Sequence, residues 1–285
     1  MIFKPFFGDY EIANLFRIGG AGLGNLLFPL CRSYIYSIQY QATLIPPIWP
    51  SLKPGAFRRG EKEKRGYTDI FKTTFIERTH LQFKNLFNKT ISEDKFLANS
   101  SFYNKSSNIT IKVEGLKNYF RDLEGYQEFI LSYILSSACP KVREIYYNYN
   151  KQNIGVHIRL GDYNIDGRTP MDWYVNAIET LQREINYSDT NFIVFSDGTD
   201  EELKPILSLK NCKRITQPNA LSDILCLSKS QLIIGSNSTF SAWGAFLGEK
   251  PFIRHEKFYL GKIHMEEDKI FEGQGVEDFL KVLNS

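Results

Sequence analysis

The chain has 285 residues, 42% hydrophobic and 14% aromatic. That is enough for a real core in two ordinary domains or one large one, and it excludes disorder throughout. A formal net charge of +3 is too weak to imply a nucleic-acid partner. The four cysteines, Cys31, Cys139, Cys212 and Cys226, are scattered without a paired-Cys pattern and read as reduced structural thiols in a reducing compartment.

At the N-terminus, MIFKPFFGDYEIANLF lacks the basic start, long apolar stretch and cleavage site of a signal peptide. No run approaches the roughly 18 apolar residues of a membrane span, so the expected location is cytoplasmic. A short strand is expected near Ile12 to Ile18. Gly19 to Ile38, GGAGLGNLLFPLCRSYIYSI, predicts a glycine-rich loop entering a buried helix. Leu26, Leu27, Leu30, Tyr34 and Ile38 fall at helical spacing, and Pro29 fits about the first turn. The loop matches neither a P-loop nor the dinucleotide fingerprint. Its glycines would still let the backbone near Gly24 and Asn25 approach a ligand closely.

Ile48 to Tyr67 is irregular and basic. Lys53 to Arg65 holds six Lys/Arg and two Glu, a local net of +4. This reads either as a solvated loop or as one that meets an anionic acceptor or lipid head group, giving peripheral contact at the inner face of a membrane. Leu86 to Lys112 is polar and yields no assignment. Asn118 to Asn150 is expected to be largely helical, broken near Pro140.

The second half changes character. NIGVHIR precedes MDWYVNAIETLQREI, NFIVFSD precedes DEELKPILSL, KRITQ precedes LSDILCLSKS, and QLIIGS precedes TFSAWGAFLG and KPFIRH. This alternation predicts an α/β domain with a parallel sheet covered on both faces. The expected division is 1–150 and 151–285. Ligands bind such sheets at the carboxyl ends of the strands, and three polar clusters follow apolar runs there.

In the first cluster, His157 and Arg159 share one face of an extended chain. The Arg159 guanidinium offers a planar fork that fits phosphate oxygens, and His157 can donate to another oxygen or orient the site. Asp162 can accept from Arg159, a backbone amide or a sugar hydroxyl. In the second, Ser196 and Asp197 can contact a nucleoside or cap a helix beginning near Asp200. In the third, Ser236, Asn237, Ser238, Thr239, Phe240 and Ser241 surround a turn before a helix, where amides and hydroxyls make an anion site. Asp223 is an N-cap or a ligand contact. No HExxH, GxSxG or paired-Cys pattern supplies metal ligands, so no metal or cofactor is expected.

Taken together these segments resemble the α-1,2-fucosyltransferase family and its wider fucosyltransferase superfamily. GGAGLGNLLF is similar to a Gly-Gly-Leu-Gly-Asn-Gln-Leu-Phe motif, with Ala21 and Gly22 inserted and Leu26 in place of Gln. HIRLGDY resembles His-x-Arg-Arg-Gly-Asp-Tyr, with Leu160 in place of the second Arg. FIVFSDG and GSNSTFSAWGAFLG resemble the two C-terminal motifs. The resemblance implies an α/β, GT-B-type fold, two Rossmann-like domains facing across a cleft, with an acceptor-side N-terminal domain and a nucleotide-sugar domain. It implies an inverting, metal-independent glycosyltransferase that moves L-fucose from the donor substrate GDP-β-L-fucose to a sugar hydroxyl, typically the 2-hydroxyl of galactose in a galactose-containing, lipid-linked or surface-polysaccharide glycan. By resemblance Arg159 neutralises the diphosphate, His157 supports donor binding, Asn25 reaches in from the N-terminal loop, Ser238 and Thr239 meet phosphates or fucose, and Asp197 and Asp223 contact the nucleoside.

Chemically, departure of the nucleotide creates charge that a preorganised Arg stabilises, and the acceptor proton needs a destination. Asp166, in the loop NIDGR, is a base candidate or a plain turn residue beside Gly167. Two rivals remain. One is a transferase of another nucleotide sugar on the same scaffold, separable by a donor screen. The other is a non-catalytic carbohydrate-binding protein, which has no reason to bind GDP.

Overall fold

The computed structural model describes the chain apart from residues 9, 13–14, 55–65, 73–74, 86, 104–107, 162–166, 185–189, 257–259, 266–268 and 284–285. The chain forms two compact units, one from Met1–Gly55 with Arg65–Cys139, the other containing Pro140–Ser285.

The first unit is built on a parallel sheet of β1 (Ile2–Phe6), β4 (Thr43–Leu44), β6 (Lys89–Ser92) and β7 (Ile109–Glu114), in the order β4-β1-β7-β6. Phe3, Ile91, Phe96, Ile109, Ile111 and Val113 form its core. The expected strand near Ile12 to Ile18 is instead an antiparallel pair, β2 (Tyr10–Ile12) and β3 (Phe16–Ile18), extended by β5 (Ser51–Leu52). Arg17 is wholly buried beneath this small sheet and donates to the carbonyls of Ile48 (2.5 Å) and Trp49 (3.2 Å).

The helix predicted after the glycines spans Leu23–Gln39, with Leu26, Leu27 and Leu30 buried. Two details differ from expectation. Pro29 is the seventh helical residue, not a first-turn one, so the helix spends one interior hydrogen bond on it. Ile38 is 53% exposed, because the last turn has passed the edge of the core. Cationic Lys53 also departs from the expected solvated loop. It is buried, donating to the carbonyls of Gly20 (2.8 Å) and Ala21, so it holds the glycine-rich turn. The rest of the basic stretch, residues 55–65, lies outside the described residues.

Helix Gln127–Ser137 ends in the first unit and helix Pro140–Asn148 opens the main stretch of the second, so the helical segment is broken near Pro140 as expected. The second unit's sheet contains β8 (Ile154–Ile158), β9 (Phe192–Ser196), β10 (Cys212–Arg214), β11 (Leu232–Gly235), β12 (Phe252–Arg254) and β13 (Glu272–Gly273). All are parallel, in the order β10-β9-β8-β11-β12-β13. Counted from β8 this is 3-2-1-4-5-6, the order of the doubly wound nucleotide-binding fold. Residues 154, 156 and 158 pack under helix Met171–Glu184 through Tyr174, Ile178 and Leu181. On the other face, helices Ala220–Lys229 and Thr239–Gly248 cross so closely that a Cβ on Gly244 would lie 2.6 Å from Leu227 Cβ. A Cβ on Gly248 would sit on the Ser228 carbonyl. Small residues in TFSAWGAFLG are therefore packing residues, and Trp243 and Phe246 fill the space beside them with no exposed surface.

Among the described residues no helix is long and apolar enough to cross a membrane. None of the four cysteines is in a disulfide.

Candidate functional site

In a sheet of this order the crevice opens where the winding reverses, between the first and fourth strands. Those strands are β8 and β11. Register places His157 beside Gly235 on one side and Phe195 on the other, and Ile158 beside Ser196. The three polar clusters therefore do meet at one carboxyl edge.

His157 is 4% exposed. Its Nδ1 shares a 3.0 Å hydrogen bond with Ser236 Oγ, and its ring stacks on Phe240 at 4.8 Å between centroids and 18° between planes. Its carbonyl accepts from Ser236 N–H at 3.0 Å and from the Tyr174 hydroxyl at 3.3 Å. Burial pulls the imidazole pKa down from 6.5 to about 3, against Asp197, which raises it, and with Arg159, which lowers it. The ring is thus neutral near pH 7. It acts as a rigid polar wedge joining β8 to the turn after β11.

Arg159 leaves the strand with a partly exposed side chain, and its Nη1 lies 2.6 Å from Asp197 Oδ2. Asp197 Oδ1 accepts from Leu160 N–H at 2.8 Å. A Cβ on Gly161 would approach Asp197 Oδ2 to 2.7 Å, so glycine is needed for the carboxylate to reach across. Asp197 spans the exits of β8 and β9 and holds the guanidinium. Leu160 is 5% exposed within the apolar core.

The serine-rich turn divides its labour. Ser238 is the N-cap of helix Thr239–Gly248, its Oγ accepting from Phe240 N–H at 3.2 Å. Ser241 Oγ donates to the carbonyls of Ser236 (3.1 Å) and Ser238 (3.2 Å). These three serines are buried and shape the turn. Asn237, Thr239 and Phe240 are half-buried at the helix N-terminus, where backbone N–H groups favour an anion.

Ser196 Oγ accepts from Gly198 N–H at 3.0 Å. Neither Ser196 nor Asp197 caps a helix: Thr199 and Glu202 close a turn, Glu202 N–H donating to Thr199 Oγ1 (3.2 Å) and Thr199 N–H to Glu202 Oε2 (2.8 Å), and the helix expected near Asp200 starts only at Lys204, with Leu203 as its N-cap and no side-chain cap. Asp223 is likewise not an N-cap. That role belongs to Asn219, which accepts from Ser222 N–H at 3.0 Å, leaving Asp223 in the first helical turn. Gly24 and Asn25 belong to the first unit, as the second and third residues of helix Leu23–Gln39. Asp162 and Asp166 lie outside the described residues. Among the described residues no group of three or more His, Cys, Asp or Glu could hold a metal ion.

Residues 68–266 match the protein family described as Glycosyl transferase family 11. The chain belongs to glycosyl transferase family 11. The match contains the whole β8–β12 edge together with the later part of the first unit, and starts after the glycine-rich segment. Among curated relatives, an O-antigen biosynthesis glycosyltransferase, WbnK of Escherichia coli, is 26% identical over 58% of this chain and 63% of its own length. The chain thus spans less than two thirds of that relative. An α-1,2-colitosyltransferase of Escherichia coli is 25% identical over 81% of this chain and 86% of its own length. Among solved structures, the fucosyltransferase NodZ from Bradyrhizobium superposes with a TM-score of 0.53 over 89% of this chain and 96% of that one, at 13% identity. A NodZ α-1,6-fucosyltransferase co-crystallised with GDP gives a TM-score of 0.52, covering 89% of this chain and 94% of that one at 14% identity. These likenesses establish the GT-B-type α/β fold of this family 11 chain, with its Rossmann-like parallel sheets.

Two arginines at the same edge escaped sequence reading. Arg214 ends β10, donates to the carbonyls of Ser196 and Gly198, each at 2.9 Å, and pairs with Asp200. Arg254 ends β12 and lies 3.2 Å from Glu272 Oε1. The rule that exposed Arg159 at the end of an apolar run would have found both, had it been applied to KRITQ and KPFIRH.

Proposed function

We propose that this family 11 glycosyltransferase moves L-fucose from GDP-β-L-fucose to a sugar hydroxyl, the 2-hydroxyl of a galactose unit in a surface polysaccharide, with inversion and without a metal ion. The observation that carries the reading is Arg159. It stands at the winding reversal of a 3-2-1-4-5-6 sheet, preorganised by Asp197, on the strand whose His157 contacts the turn leading into helix Thr239–Gly248. In this reading the diphosphate lies between that helix end and the guanidinium. As the acceptor oxygen bonds to the anomeric carbon, the bond to the β-phosphate oxygen breaks, and its electron pair leaves on GDP. Arg159 stabilises that growing charge. Asp166 takes the acceptor proton. Neutral His157 fixes the turn and moves no proton.

A second reading, transfer of another fucose-like sugar, is favoured by the colitosyltransferase relative, which aligns over 81% of this chain. One experiment separates the two. Purified protein is offered GDP-fucose and other nucleotide sugars with β-galactosides, with and without excess chelator, and products are read by NMR for linkage and anomer. An α-1,2-fucosyl product formed in chelator supports the proposal. Product from a different donor alone selects the second reading. Loss of activity restored by manganese or magnesium removes metal independence.

A further inference from the structure

The turn that leaves β9 is gripped by one nitrogen of a neighbouring strand. Arg214, the last residue of β10, donates through Nη2 to the carbonyls of Ser196 and Gly198, each at 2.9 Å. Those two residues flank Asp197. The other terminal nitrogen, Nη1, is held by the Asp200 carboxylate. The side chain is only 14% exposed. Both ends of the guanidinium fork are therefore engaged by this one loop, which answers the cost of burying the cation.

Strand lengths explain why a side chain does this work. β10 pairs with β9 only as far as Arg214 opposite Val194, where Ile215 N–H donates to the Val194 carbonyl at 3.3 Å. β9 runs on to Ser196, which still pairs with Ile158 of β8 on the other side. Beyond Val194 the β10 ladder has ended, and Arg214 supplies donors that a longer β10 would have offered from its backbone. Ser196 Oγ accepts from Gly198 N–H at 3.0 Å. That bond folds the turn so that the carbonyls of residues 196 and 198 both reach one nitrogen.

The residue between those carbonyls is the one that holds Arg159. Asp197 Oδ1 accepts from Leu160 N–H at 2.8 Å, and Oδ2 lies 2.6 Å from Arg159 Nη1. With the backbone fixed on both sides of Asp197, the carboxylate has one direction in which to point. We propose that Arg214 is a positioning residue for Arg159, acting through the Ser196–Gly198 backbone and the Asp197 carboxylate. Its effect on transfer rests on the transferase reading above; its effect on the orientation of Arg159 does not. The two arginines also differ in what they require. Arg214 needs one nitrogen with two donors, which an ammonium provides, whereas Arg159 needs the planar fork.

Transfer from GDP-fucose to lactose is measured for Arg214→Ala, Arg214→Lys, Arg159→Ala and the double variant Arg159→Ala/Arg214→Ala, after GDP titration has shown each to be folded. Arg214→Ala should lower kcat by about tenfold to 10²-fold, the scale of a misplaced catalytic group, with donor KM and GDP affinity unchanged. Arg214→Lys should stay within about threefold of wild type. In the Arg159→Ala background the Arg214 substitution should cost nothing further, because the group it positions is gone. An equal loss in that background, or a Lys variant as poor as Ala, would overturn the proposal. The second readout needs no turnover. In protein labelled with ¹⁵N-arginine, the Arg159 Nε–H signal, assigned by its loss in Arg159→Ala, should show a strong heteronuclear NOE in wild type and a weak one in Arg214→Ala. An unchanged NOE would overturn the positioning role. A lost NOE with no transfer from any donor would sink the transferase reading and leave the positioning standing. Transfer by wild type with unchanged kcat in Arg214→Ala would sink the positioning and leave the transferase standing.

Discussion

His157 should make this protein acid-labile in a way one substitution can isolate. The imidazole is 4% exposed, and burial holds its pKa at about 3 against an ordinary value of 6.5. The folded chain therefore keeps the ring neutral, while the unfolded chain takes up a proton below pH 6.5. With the folded pKa depressed, the stability at stake is complete above pH 6.5 and is lost as pH falls towards the folded value. The slope is about 1.4 kcal/mol per pH unit, so acidification from 6.5 to 5.0 costs about 2 kcal/mol. His157→Gln removes that proton uptake whatever its own cost at neutral pH. Urea unfolding at pH 7.5 and 5.0 should show wild type losing about 2 kcal/mol more than the variant over the interval. His264, also lowered by burial, is common to both proteins and cancels. Parallel losses in the two proteins would refute the reasoning, because a ring protonated in the folded state gives no such difference.

Arg159→Lys should be nearly as damaging as Arg159→Ala, because an ammonium cannot reproduce the fork that Asp197 positions. Turnover should fall by about 10²–10³, or roughly 2.7–4 kcal/mol, with little change in GDP affinity, and a Lys variant near wild-type turnover would show that charge alone suffices. Asp197→Asn, which keeps an oxygen for Leu160 N–H, should lower turnover in the same sense, measurable as a kcat effect at an unchanged thermal midpoint. Gly248→Ala should destabilise by about 1–3 kcal/mol in urea titration, since the new methyl meets the Ser228 backbone, which cannot swing aside. Replacing Arg58, Arg59, Lys62 and Lys64 with Ser should weaken acceptor use or vesicle binding and leave GDP affinity intact; an equal loss of GDP affinity would assign that stretch to the donor instead.

The second unit was legible because its central strands are buried on both faces. IGVHI, FIVFS and LIIG are near-continuous apolar runs, the signature of parallel strands under helices. Their order was not legible, since it depends on which helix packs on which face. The first unit hid its sheet for physical reasons. β4 is only two residues long, and β6 buries only Ile91. β1 contains Pro5, which argues against a central strand. The structure resolves that conflict locally: β4 pairs with β1 only at Ile2 and Phe3, so beyond them Pro5 has an open side and its missing N–H costs little. The candidate site was partly legible for a similar reason. The rule that strand ends carry ligands located His157, Arg159 and the serine-rich turn. It could not say that Asp197 would face Arg159, because that contact joins two strand exits 38 residues apart in sequence.

Leu160 shows how a departure from a motif can be read once the structure is present. Judged by the motif alone, leucine in place of a second arginine looks like lost charge at the phosphates. The side chain is in fact in the core, and a Cβ on Gly198 would come within 2.5 Å of its Cδ1. It therefore anchors the exit of β8 under the exit of β9. Its N–H donates to the same Asp197 that holds Arg159, so one carboxylate links a buried anchor to a partly exposed cation. The anchor resists movement because leaving the core would expose a full leucine side chain, worth about 1.5–3 kcal/mol. Preorganisation of Arg159 is thus drawn from hydrophobic burial, transmitted through one hydrogen bond and one ion pair. A second arginine would add charge at this position only by giving up that anchor. In the transferase reading proposed above, the N–H groups at the helix N-terminus by Thr239 add to the neutralisation of the phosphates without any cost of ordering a side chain.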